Sequence, residues 1–169
     1  MERTVTMRGK PLELVGTALK VGDKAPDFNV VDNSLAKTGL ASYKGKVVVI
    51  SAVPSLDTPV CDVETRRFNV EAGKLGDDVA VLTISMDLPF AQKRWCGAAG
   101  VSHVTTLSDY MDANFGLAYG ILIKDLRLLA RAVFVIDKGN TIRHIEIVSE
   151  IANEPNYEVC LKAVEACLK

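Results

Sequence analysis

A chain of 169 residues, 49% hydrophobic and 24% charged, fits a globular protein with a sizeable core. Its formal net charge of -1 gives no reason to expect a nucleic acid or an anionic membrane as partner. The opening residues, Met1-Glu2-Arg3-Thr4-Val5-Thr6, lack the apolar core of a secretory signal, and no apolar run approaches the ~18 residues of a membrane span, so the chain is expected in the cytoplasm.

Val5, Met7, Leu12 and Leu14 alternate with polar residues around Arg8-Gly9-Lys10-Pro11, which predicts a β-hairpin within residues 1–16. Residues 20–28 read as loop, and 32–45 as a short strand and a turn. Residues 47–53 are apolar without alternation, as in a strand covered on both faces. A helix is predicted from Pro59, ending before the turn at Gly76-Asp77-Asp78. Residues 79–84 form a second buried strand. Asp87 can cap and Pro89 can open a helix through Cys96, closed by Gly97. Residues 101–107 read as a short strand and 109–115 as a short helix, while 117–130 carry no clear period. Residues 132–136 and 141–148 make a hairpin around Asp137-Lys138-Gly139-Asn140. A last helix begins near Pro155, with Tyr157, Cys160, Leu161, Val164, Cys167 and Leu168 on one face. This order predicts an α/β sandwich, a mixed central sheet flanked by helices. No repeat or linker interrupts it, so residues 1–169 are expected to form one domain, with residues 1–16 as an N-terminal hairpin extension.

The chemistry concentrates where the first long strand meets the first helix. Thr58 is a suitable N-cap and Pro59 a suitable first helical residue. Cys61 then falls at the third helical position, among amides with no partner inside the helix. Those amides and the helix dipole favour a thiolate by ~0.3–1 kcal/mol, so a cationic side chain is needed as well. Arg131 is the first candidate, because it enters a strand whose two faces, Val133 with Val135 and Phe134 with Ile136, are both apolar. An arginine there needs an anion unless it lies just outside the core, and Arg127 is the fallback.

Four cysteines in a reducing compartment are expected to be free or catalytic. Cys96 reads either as a buried cysteine at a helix end beside Trp95 or as a second functional thiol. With only His103 and His144 available, and neither beside a cysteine pair, a metal site is not indicated. Cys160 and Cys167 are seven positions apart on one helix, ~10.5 Å, too far for a bridge, and read as core.

The spacing Pro54-x3-Thr58-x2-Cys61, placed between a strand and a helix start, resembles the peroxiredoxin active-site signature. Val21 to Phe28, Glu154 to Tyr157 and the N-terminal hairpin extend the resemblance over nearly the whole chain, toward the thiol peroxidase group of that family. The resemblance implies a thioredoxin-like fold, with Cys61 as the peroxidatic and Cys96 as the resolving cysteine. It implies that Pro54 shields the thiolate, that Thr58 offers it a hydroxyl, and that Arg131 is the active-site arginine. It further implies hydrogen peroxide and organic hydroperoxides as substrates, thioredoxin as reductant, a homodimer, and no haem, flavin or metal. Two other readings compete. A thiol–disulfide oxidoreductase is disfavoured because Glu64 stands where C-x-x-C would place a second cysteine. A redox sensor or holdase needs the same reactive thiol without turnover. The apolar residues 117–123 are a candidate lining for the substrate pocket.

Overall fold

The computed structural model describes residues 2–169. Strand β1 (Arg3–Met7) pairs antiparallel with β2 (Lys10–Val15), forming the expected hairpin. The following loop leads through β3 (Val30–Val31), β4 (Lys37–Thr38) and a 3-10 turn (Leu40–Tyr43) to β5 (Val47–Ala52). Every residue of β5 is buried, as its unbroken apolar run predicts. Helix α1 (Pro59–Leu75), strand β6 (Val79–Ser85), helix α2 (Pro89–Ala99) and strand β7 (Thr105–Ser108) come next. After them lie α3 (Asn114–Ala118), β8 (Leu122–Ile123), β9 (Leu128–Leu129), β10 (Ala132–Ile136), β11 (Ile142–Ile147) and α4 (Tyr157–Leu168).

Seven strands build one mixed sheet in the order β11-β10-β5-β6-β7-β3-β4. β5, β6 and β7 run parallel, while β10 is antiparallel to both β5 and β11. One face carries Val47, Val49, Val81, Val133 and Val135 against Phe68 of α1 and Cys160 and Val164 of α4, with Trp95 of α2 packed at its margin. The other face carries Val48, Ile50, Ile84, Phe134 and Ile136 against Phe115, Tyr119 and the small sheet β1-β2-β8-β9. This arrangement is the thioredoxin-like architecture expected from the element order.

Several boundaries differ from the sequence reading. Helix α2 runs through Gly97 to Ala99 and stops at Gly100, which adopts φ +68° and lets the amides of Gly100 and Val101 reach the Cys96 carbonyl. Leu88, not Asp87, is the residue before that helix. The predicted strand 101–107 begins only at Thr105, and the short helix starts at Asn114 after a left-handed Ala113. Residues 117–130 contain strands β8 and β9, each two residues long and too short to show a period. Ile121, Leu122 and Ile123 pack into a core cluster separate from the one around Cys61.

Candidate active site

Cys61 lies in the first turn of α1, at the C-terminal edge of the parallel strands. It is fully buried against Val53 and Leu56, with Trp95 packed on the same cluster. Thr58 precedes the helix with extended backbone, and Pro59 occupies its first turn. The Thr58 hydroxyl does not cap the helix: it donates to the Ser55 carbonyl at 2.8 Å. Among the described residues, nothing accepts from the amides of Val60 and Cys61, whereas the Asp62 amide donates to the Thr58 carbonyl at 3.0 Å. Two unpartnered amides at a helix start are a ready site for an anionic oxygen.

The loop from Pro54 to Thr58 is held from below by Asp87. Its carboxylate accepts from the Ser55 hydroxyl at 2.7 Å, the Leu56 amide at 2.8 Å and the Ser85 hydroxyl at 2.7 Å. Asp87 therefore anchors the loop rather than capping α2. Pro54 itself is buried.

The cation is Arg131, 2% exposed, at the entrance of β10. All three of its guanidinium nitrogens are used. Nη2 lies 3.3 Å from Cys61 Sγ, Nη1 lies 2.5 Å from Glu64 Oε2, and Nε donates to the Ile151 carbonyl at 2.9 Å. Glu64 Oε1 accepts from the Ser51 hydroxyl at 2.9 Å. Burial pushes the Glu64 carboxyl above its usual range, against the pull of Arg131. Burial opposes the Arg131 charge, but Glu64 and Cys61 outweigh it and hold the guanidinium above its ordinary value. Arg131 remains a cation, fixed by Glu64 and aimed at the sulfur. Arg127, by contrast, sits exposed in the turn between β8 and β9 with φ +53°.

Sequence reasoning missed Glu64, noticed only as a non-cysteine, and Ser51. Glu64 is three positions after Cys61 on the helix, so the two share a face, but only the packing of α1 on the sheet shows that face to be buried and its carboxylate in need of a partner.

Cys96 stands apart. It is half-buried, and its Sγ lies 3.4 Å from the Thr106 hydroxyl of β7. β7 is two strands from β5, roughly 10 Å across the sheet. All four cysteines are free thiols here. Burial pushes the thiol of Cys160, in the core, up to about 12, and also raises that of Cys167, which is half-buried and packs against the same core cluster. A cavity of about 470 Å³ opens beside Val48 and Ile136 at the other end of β5, and Cys61 is not among the residues that line it. Among the described residues no group of three or more side chains could hold a metal ion, and no helix is long and apolar enough to cross a membrane.

A buried thiol that meets a fixed guanidinium, at a helix start with two unpartnered amides, is built to act as a nucleophile toward a small polar oxygen compound. Residues 20–161 match the Redoxin family. The chain is 58% identical over 165 residues to the thiol peroxidase of Bacillus subtilis, covering 98% of each. It is 52% identical over 162 residues to the thiol peroxidase of Streptococcus pneumoniae, covering 96% of this chain and 99% of that one. The crystal structure of a peroxiredoxin-like protein from Aquifex aeolicus superposes with a TM-score of 0.92 at 44% identity, covering 98% and 97% of the two chains. The thiol peroxidase from Chromobacterium violaceum, at 20% identity and a TM-score of 0.86, shares the fold over 96% and 95% of the two chains.

Proposed function

The chain belongs to the Redoxin family as a thiol peroxidase of the peroxiredoxin group, and we propose that Cys61 is its peroxidatic and Cys96 its resolving cysteine. The observation that carries the first assignment is the 3.3 Å contact from Arg131 Nη2 to Cys61 Sγ. The Cys61 thiolate attacks one oxygen of the hydroperoxide. The S–O bond forms as the O–O bond breaks, the alcohol or water leaves with a proton, and Cys61 becomes a sulfenic acid. The amides of Val60 and Cys61 and the Arg131 charge face the oxygen on which negative charge develops. Thr58 joins them when its hydroxyl leaves the Ser55 carbonyl and turns to the peroxide. Pro54 keeps water from the sulfur.

In the second step the Cys96 thiol attacks the Cys61 sulfur, the S–O bond breaks, water leaves and a Cys61–Cys96 disulfide forms. The two Cα atoms must then lie within ~7 Å. Since Cys96 sits over β7, the end of α2 and the start of α1 both loosen to allow it. A dithiol donor of the thioredoxin class reduces the disulfide through a mixed disulfide. We place the protein in the cytoplasm as a single-domain homodimer, acting on hydrogen peroxide and organic hydroperoxides without haem, flavin or metal.

The test is steady-state peroxide consumption with thioredoxin as the donor. Wild type turns over, Cys61→Ser does not, and Cys96→Ser stops after one or two equivalents, as its unresolved Cys61 sulfenic acid passes to the sulfinic acid. Turnover by Cys61→Ser overturns the peroxidatic assignment. Sustained thioredoxin-driven turnover by Cys96→Ser overturns the resolving one.

A further inference from the structure

Side chains of α1 grip the last turn of α2 at two points. Asp62 Oδ1 accepts from Trp95 Nε1 at 2.9 Å, and Arg66 Nη1 donates to the Ala99 carbonyl at 3.3 Å. Arg66 is itself fixed by Asp62, Nε to Oδ2 at 2.9 Å, and its guanidinium lies 5.7 Å from the centre of the Trp95 ring. The two points bracket Cys96, the residue after Trp95 and three before Ala99. Trp95 also packs against the cluster formed by Val53, Leu56 and Cys61, while the Cys96 sulfur lies 3.4 Å from the Thr106 hydroxyl. So the side chain packed against the Cys61 cluster is the immediate neighbour of the one that must reach Cys61, about 100° round the helix.

We infer that Asp62, Arg66 and Trp95 form a latch that holds the last turn of α2 shut and sets the rate at which Cys96 reaches oxidised Cys61. The inference rests on Cys96 being the resolving cysteine. The three residues are positioning residues, because none exchanges an atom with the peroxide or the sulfurs. Two fates compete for the Cys61 sulfenic acid. With the latch open, the Cys96 thiol displaces its oxygen as water and the disulfide forms. With the latch closed, a second hydrogen peroxide transfers an oxygen atom to the sulfur, giving the sulfinic acid and water. Latch strength therefore sets the ratio of disulfide to sulfinic acid at a given excess of hydrogen peroxide. Asp62 and Arg66 are part-exposed, with side chains 33% and 50% accessible, so substitution there leaves the core intact.

The experiment treats fully reduced protein with a rising excess of hydrogen peroxide, quenches it with a thiol trap, and counts both Cys61 products by mass spectrometry. Asp62→Ala removes the acceptor shared by Trp95 and Arg66, and is expected to raise the disulfide-to-sulfinic ratio about tenfold. Asp62→Asn, whose amide oxygen can still accept from Trp95, is expected to regain part of the wild-type ratio. Arg66→Gln, which loses the guanidinium contact and the Ala99 tie, is expected to fall between wild type and Asp62→Ala. Trp95 is the only tryptophan, so its emission reports the latch directly, shifting red in reduced Asp62→Ala and in oxidised wild type. An unchanged ratio in both Asp62→Ala and Arg66→Gln, with the disulfide still forming, overturns the latch and leaves Cys96 as the resolving cysteine. No Cys61–Cys96 disulfide in wild type overturns that reading and the latch with it.

Discussion

Replacing Arg131 with methionine keeps an unbranched stem and removes the guanidinium. Bonds to Glu64, to the Cys61 sulfur and to the Ile151 carbonyl are lost together. Glu64, fully buried, is left with the Ser51 hydroxyl alone. Removing one partner of a buried ion pair costs ~3–5 kcal/mol. At ~2–4 °C per kcal/mol for a chain of this size, Tm falls by about 6–20 °C. The loss depends on pH, and its sign follows from Glu64. Burial already raises that carboxyl above its unfolded value, and without Arg131 nothing opposes the rise. A raised carboxyl contributes its full stability at acid pH and loses it as pH climbs through the folded value. Arg131→Met is therefore expected to approach wild type on acidification and to diverge from it toward neutrality. Adding Glu64→Leu removes the stranded carboxyl and should restore most of the Tm. Peroxide reactivity should not return, because Cys61 still lacks its charge-assisted contact, a loss of ~1.5–3 kcal/mol or ~10–150-fold in rate. The assays are thermal unfolding across pH and the second-order rate of Cys61 thiol loss with peroxide. An Arg131→Met protein with wild-type Tm, or a double variant with wild-type reactivity, refutes the reasoning.

Asp87→Ala frees the Leu56 amide and the Ser55 and Ser85 hydroxyls, so hydrogen exchange at residues 55–57 should accelerate by about tenfold or more, with a slower peroxide reaction. Unchanged exchange there would remove Asp87 as the anchor of the loop. An alkylating reagent at pH 8 should label Cys96 long before Cys160, whose thiol is pushed up to about 12 by burial, as counted by peptide mass. Equal labelling would contradict that burial. Asp109 is raised to about 6 by burial, against the pull of the Gly116 and Phe115 amides, so ionising it costs stability between its unfolded value near 4 and its folded value near 6. Wild type should lose stability from this group over that window as pH rises, by about 2–3 kcal/mol. Asp109→Asn should not, and parallel urea midpoints for the two proteins would refute the assignment.

The strand-turn-helix around Cys61 was legible because each local signal agreed: an unbroken apolar strand, an N-cap residue, a proline and then the thiol. The two apolar faces of β10 were likewise plain from alternation, and Arg131 at its entrance is buried with an anion, as that pattern requires. Glu64 was not legible from spacing alone, because a helix presents many carboxylates and only the tertiary packing of α1 on β5 and β10 decides which is buried. The end of α2 was misplaced for a related reason. Gly97 costs about 1 kcal/mol in a helix interior, yet its surroundings are open, and the αL turn at Gly100 closes the helix instead. Asp87 looked like a cap because caps are local, whereas besides Ser85 its carboxylate is taken up by Ser55 and Leu56, some thirty residues back in the Pro54 to Thr58 loop. Strands β8 and β9 exist through pairing with β2 and with each other, which no two-residue pattern encodes.

The central claim is that Cys61 is oxidised by peroxide and then resolved by Cys96. Reduced protein treated with one equivalent of hydrogen peroxide, without a reductant, and mapped by mass spectrometry tests it most directly. The account predicts a Cys61–Cys96 peptide that disappears in Cys61→Ser, with lower amide protection at residues 57–63 and 92–98 in the oxidised form. A persistent sulfenic or sulfinic Cys61 beside a free Cys96 would contradict the resolving step, and an unmodified Cys61 would contradict the account as a whole.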